Sequence, residues 1–270
     1  AKTAITQGDL ETGQALAQDA LEAAPDHPTL QADALDSLAL VADKLGDMHT
    51  ALAHYEKALA IHEALGARDE VAAMLNMIAT VYSKRYKLEE AMRYGERALT
   101  IQREVGDPGR LGAVLVNLGV TTKKAGDYER ALGYYQEARA IFKRIGHRLG
   151  HAIAWMNIGT VTELLGRDLE SHAAFDHALR IAQEMDMVPL YLYVLLGKAT
   201  LAAKAGDHVR AAEMAGTVME HGQKDEDVMN QIRALSDERI TLPEAAREAA
   251  LKRGRDRSPQ EAVDLLQTTT

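Results

Sequence analysis

Lys124–Ala131 reads KAGDYERA, and Lys204–Ala211 reads KAGDHVRA. Two near-copies of one octapeptide lie 80 residues apart in a chain of 270. Working outward from them, Gly46, Tyr86, Gly126, Gly166 and Gly206 fall in one register, each 40 residues from the next, and Gly8 precedes them at an offset of 38. The same register aligns Ala58, Ala98, Ala138 and Ala178, and again Ile61, Ile101, Ile141 and Ile181. A chance match of one octapeptide does not align further columns, so the chain is an array of internal repeats.

Inside one repeat, residues 112–125 place Leu115, Leu118 and Thr122 at helical spacing. Gly126 ends that helix, because a residue without Cβ accepts the positive φ of a helix C-terminus. Asp127 is placed to cap the next helix through its carboxylate. Residues 128–145 then set Ala131, Tyr135, Ala138 and Ile141 on one stripe, and Gly146 closes the segment. The small residues Gly119, Ala131 and Ala138 let two helices approach closely. Each repeat is thus a helical hairpin, and stacked hairpins predict an all-α fold of the α-solenoid class.

Composition narrows the function classes. Cysteine is absent, which excludes disulfides, thiolate metal sites and thiol catalysis. The net charge of −9 argues against direct binding of nucleic acid. Aromatic residues are 4% of the chain, so a core of Ala, Leu, Ile, Val and Met is expected. No apolar run approaches the roughly 18 residues of a membrane span, and no secretory signal is visible. A cytoplasmic, membrane-free protein is the expectation.

The register divides the chain into a partial first repeat at 1–28, holding only a second helix, five hairpins at 29–224, and capping helices with a tail at 225–270. The stub before Gly8, without an initiator Met, suggests the C-terminal part of a longer protein; the alternative is a lone capping helix. After Lys224 the period stops. TLPEAAREAALKRG reads as a helix capped by Thr241 with Glu244 three residues on, and SPQEAVDLLQ as one capped by Ser258 with Pro259 and Glu261 following.

Catalytic motifs are missing: there is no glycine-rich phosphate loop, GxSxG or HExxH. Among the ten histidines, His147 and His151 are bracketed by glycines, and His172 and His177 are read as facing different ways. They are expected to lie on exposed or hairpin-edge positions rather than in a metal site. No enzyme activity, cofactor or metal is expected.

The pattern of Leu115, Leu118, Gly119, Thr122, Gly126, Asp127, Ala131, Tyr135 and Ala138, repeated as Trp155, Ile158, Gly159, Gly166, Phe175 and Ala178, resembles the tetratricopeptide repeat (TPR). The likeness runs over roughly residues 8–222, with a 40-residue unit like that of kinesin light chains, Rap proteins and the C-terminal arms of bacterial ATPase-type (STAND/LuxR/SARP-like) regulators. The closing ALKRGRDRSPQEAVDLL also resembles those arms. Departures are Tyr86 at a turn glycine, Ser171 at a small-residue position, and Lys198 at a buried leucine position. The last suggests a looser final hairpin or a polar contact inside the array.

The resemblance implies a right-handed superhelix whose first helices line a concave groove. Its candidate partner-binding residues are Asn76, Thr80, Lys84, Lys123, Lys124, Met156, Thr160, Tyr193 and Lys204. Lys44, Lys84, Lys124 and Lys204 share one column, which reads either as a ladder for an acidic partner or as helix-end cations offsetting the dipole. Asn117 and Asn157 share another, for a bound peptide backbone or for hydrogen bonds between hairpins. Trp155 is read as packing. The implied function is a protein- or peptide-binding scaffold, the sensing or docking arm of a larger regulator. The alternatives are a small-molecule sensor domain and a self-association module.

Overall fold

The computed structural model describes residues 1–23, 25–223 and 226–267. They form an all-α protein of helical hairpins, with no strand among the described residues. A short α1 (Lys2–Thr6) and α2 (Leu10–Ala23) come first. Five hairpins follow: α3 (Pro28–Lys44) with α4 (Met48–Leu65), α5 (Arg68–Lys84) with α6 (Leu88–Val105), α7 (Pro108–Lys124) with α8 (Tyr128–Arg144), α9 (Arg148–Leu164) with α10 (Asp168–Glu184), and α11 (Val188–Lys204) with α12 (His208–His221). Next come α13 (Glu226–Ala234), running into a π-helical turn at Leu235–Arg239, then α14 (Glu244–Arg255) and α15 (Pro259–Gln267). Two compact units divide the chain, one ending at Tyr134 and the other beginning at Tyr135.

The hairpins are punctuated more regularly than the glycine column indicates. Left-handed backbone recurs every 20 residues at Gly46, Gly66, Tyr86, Gly106, Gly126, Gly146, Gly166, Asp186 and Gly206. Tyr86 and Asp186, at φ 56° and 52°, hold it without glycine. At the α7 end the Gly126 N–H donates to the Lys123 carbonyl at 3.0 Å and the Asp127 N–H to the Thr122 carbonyl at 3.2 Å. These bonds satisfy carbonyls that a helix end leaves orphaned. Asp127 then turns to the next helix, accepting from the Arg130 N–H at 3.2 Å.

A Cβ built on Gly126, at φ +84°, meets no heavy atom within 4 Å, so its substitution isolates the backbone cost. Gly126→Ala is expected to lower the unfolding free energy by about 1 kcal/mol, read by urea denaturation. An unchanged midpoint would mean that this turn does not need its left-handed residue.

The core is built mainly from Ala, Leu, Ile, Val and Met, as the composition implies, with a few large rings set among them. Tyr55, Tyr135, Tyr191 and Phe175 are among the largest fully buried side chains. Phe175 shows how a large ring is accommodated, by small neighbours that leave space open. Phe175 lies against Gly159 and Gly197, where an added Cβ would come within 2.8 and 2.2 Å of its ring. His62, in α4, is buried rather than exposed.

At the C-terminus α14 packs on α12. Its start differs from the sequence reading: the N-cap is Pro243 with no side-chain cap, and the Thr241 N–H donates to His208 Nδ1 at 3.4 Å. Pro243, with its fixed φ and no N–H, occupies the helix boundary in place of the threonine box. The Ser258 box does form: the Ser258 N–H donates to Glu261 at 2.8 Å and the Glu261 N–H to Ser258 Oγ at 3.3 Å.

Candidate functional site

The candidate groove residues sit on the first helices of the hairpins, and each unit presents its own set. In the first unit, Asn76 and Thr80 lie on α5 and Lys123 and Lys124 on α7. Asn117 Nδ2, from α7, donates to Asn76 Oδ1 at 3.1 Å and to Thr80 Oγ1 at 3.3 Å. Thr80 in turn donates to the Asn76 carbonyl at 2.9 Å. Three polar side chains thus form a seam between neighbouring hairpins, which fixes their register. In the second unit Asn157 instead donates to the Ile153 carbonyl of its own helix at 3.0 Å.

The lysine column has partners that the sequence does not indicate. Lys84 reaches back to Asp43 on α3, at 2.7 and 2.8 Å from its two carboxylate oxygens. Lys124 donates to the Ser83 carbonyl at 3.1 Å, and its ammonium lies 5.0 Å from the centroid of Tyr86. Lys204 pairs with Asp168 at 2.7 Å and approaches Glu163 at 3.9 Å. Lys84, Lys124 and Lys204 each reach about one repeat back, to the end of the previous first helix or the turn after it, where the dipole adds to the attraction. These lysines are tied into the stacking of hairpins.

Lys123 is different. It is half-buried on α7, and among the described residues it has no ion pair. Burial, and then the adjacent Lys124, push its ammonium below the ordinary lysine range. A cation so placed gains from any carboxylate brought beside it. In the second unit Met156 and Tyr193 are half-buried against the core, and Thr160 donates to the Met156 carbonyl at 3.2 Å. Met156 and Tyr193 give that surface an apolar, adaptable part beside Lys204.

Trp155 is half-buried on α9, packed in the core as expected. The Arg139 guanidinium lies 4.4 Å over its ring and His177 stacks on it at a centroid distance of 4.4 Å. His177 and His172 both border one cavity, with His177 turned toward Trp155 of α9. No group of three or more His, Cys, Asp or Glu among the described residues is arranged to hold a metal. Nor is any described helix long and apolar enough to cross a membrane.

The tetratricopeptide repeat family profile matches residues 30–104 and 110–184, more than half of the chain. The chain belongs to the tetratricopeptide repeat family. Several solved TPR-like structures resemble it. BtubC (BKLC) from P. vanneervenii is 23% identical with a TM-score of 0.64, over 87% of this chain and 94% of that one. A Rap protein complexed with Competence and Sporulation Factor is 19% identical with a TM-score of 0.69, over 90% and 69%. A putative kinesin light chain of Podosopora anserina with nearly identical TPR-like repeats is 14% identical with a TM-score of 0.55, over 69% and 93%. At these identities the likeness establishes the fold alone. No curated protein matches the TPR chain. Its hairpins form a TPR scaffold, and its particular chemistry lies in the residues that break the repeat.

Proposed function

We propose that this TPR scaffold binds a protein or peptide segment along the faces of its first helices, as the sensing or docking arm of a larger cytoplasmic regulator. The contact set is Asn76, Thr80, Lys84, Lys123 and Lys124 in the first unit, and Met156, Thr160, Tyr193 and Lys204 in the second. The observation that carries the reading is Lys123. Its ammonium is partly desolvated beside a second cation and has no ion pair among the described residues. A partner carboxylate supplies the missing counter-charge. The apolar Met156 and Tyr193 suit a partner's non-polar side chains. A Rap protein with a similar fold was crystallised with Competence and Sporulation Factor, which supports a polypeptide ligand.

Peptides selected from a random library against the full chain test this reading. Acidic residues should be enriched, and Lys123→Gln should weaken the selected peptides about tenfold, with affinity falling as salt rises. Lys84→Gln, which breaks a stacking pair, should change affinity much less. Selection of no acidic peptide, or equal affinity for the Lys123 variant in fluorescence anisotropy, would remove the basis of the assignment.

A further inference from the structure

A second feature lies away from that face. At 40-residue spacing, Leu38, Ile78, Leu118 and Ile158 are four buried apolar residues of the first helices, and the fifth is Lys198. A neighbouring column runs Leu52, Met92, Leu132 and then His172. Two core columns therefore turn polar at one place, and both residues line a single cavity of about 800 Å³ between α10, α11 and α12. A groove of about 620 Å³ beside α6 in the first unit has Met92 at the position that His172 takes here.

Stacking does not require Lys198, since aliphatic side chains fill its column in every other hairpin. A buried ammonium carries a desolvation cost that packing does not return. Lys198 is 8% exposed, and among the described residues it pairs only with Asp176, at 2.5 Å, a side chain that is itself 63% exposed. Asp207, the other carboxylate of the lining, is committed to capping α12 through the Arg210 N–H at 3.1 Å. Arg210 has no ion pair among the described residues, and Arg180 approaches Glu184 at 3.9 Å on its own helix. The cavity therefore holds more positive than negative charge. Leu179, Leu201 and Met214, all buried, supply an apolar wall.

We propose that this cavity is a binding site for a small organic anion, whose carboxylate or phosphate is held by Lys198 with His172 and Arg210 and whose carbon body lies on the Leu179, Leu201 and Met214 wall. Its volume is within the range of small-molecule sites, about 300–1,000 Å³. Burial, and then Lys198, lower the proton affinity of His172, which favours the neutral, hydrogen-bonding form of its ring. The site is separate from the peptide-binding face: residue 198 is about 140° around α11 from Tyr193 of the contact set.

Calorimetric titration of the full chain with pyrophosphate and, separately, with succinate tests the site. One of the two should bind saturably at one site per chain; tighter pyrophosphate binding assigns phosphorylated compounds, and tighter succinate binding assigns carboxylates. Lys198→Met should weaken that anion at least about tenfold, and Arg210→Gln about threefold. Lys123→Gln should leave it unchanged, which separates this site from the groove. Failure of both anions to bind, or binding by Lys198→Met and Arg210→Gln at the original affinity, would overturn the proposal. Should Lys198→Met not fold, Arg210→Gln on the half-buried rim decides.

Discussion

Phe175→Ala is expected to lower the unfolding free energy by about 4 kcal/mol. The ring is 1% exposed and lies in the core cluster of the second unit. Its space exists because two facing positions have no side chain. A Cβ on Gly159 would meet the ring at 2.8 Å, and one on Gly197 at 2.2 Å. Truncation leaves a void bounded by helix backbone, which relaxes little, so the cavity cost adds to the lost burial. Repeat arrays couple mainly to nearest neighbours. Hydrogen exchange should therefore accelerate first in α9, α10 and α11. A loss below about 1 kcal/mol in urea unfolding would show that the ring is not the centre of this core.

The same geometry predicts non-additivity. Gly197→Ala alone should cost about 2 kcal/mol, since the ring must move to admit a methyl group. With Phe175→Leu already in place the methyl group has room, and the double-mutant cycle should give a coupling of about 1 kcal/mol or more. Additive effects would mean that the two residues do not share one space.

Gly216→Ala is expected to cost about 3 kcal/mol and to release α14 from α12. An added Cβ would lie 2.1 Å from the Leu251 carbonyl oxygen and 3.1 Å from the Arg255 nitrogen. Across the crossing, a Cβ on Gly254 would lie 1.9 Å from the Glu213 carbonyl oxygen. These neighbours are backbone, so no rotamer change relieves the clash and the helices must separate. Separation also breaks the bond from Thr217 Oγ1 to the Gly254 carbonyl, 2.9 Å, and the Glu213 pairs with Arg253 and Arg257 at 2.8 and 2.6 Å. Faster exchange across α14 reads the effect. Gly133→Ala is the control, because nothing lies within 4 Å of its added Cβ on α8. Removing a glycine there should stabilise by up to about 1 kcal/mol. Equal behaviour of the two variants would mean that α12 and α14 do not cross closely.

The repeat period, the hairpins and the left-handed turn at Gly126 were legible because each depends on residues close in sequence: a stripe at helical spacing, then a residue that accepts positive φ. The turn at Asp186 was not legible, since aspartate takes that backbone conformation only where the surrounding helices hold it. The lysine column was visible as a column, but its partners were not. Asp43 and the Ser83 carbonyl lie 41 residues before Lys84 and Lys124. The anomaly at Lys198 could be read from its column, while its convergence with His172 could not.

Sequence alone determined that this protein is a stack of two-helix modules, because apolar periodicity and turn chemistry act over a few residues and recur in register. Only the tertiary structure decided which cations are occupied, where Phe175 finds its space and which polar side chains share a cavity. Those outcomes depend on distances between groups 16 to 41 residues apart, which packing sets and local spacing does not record.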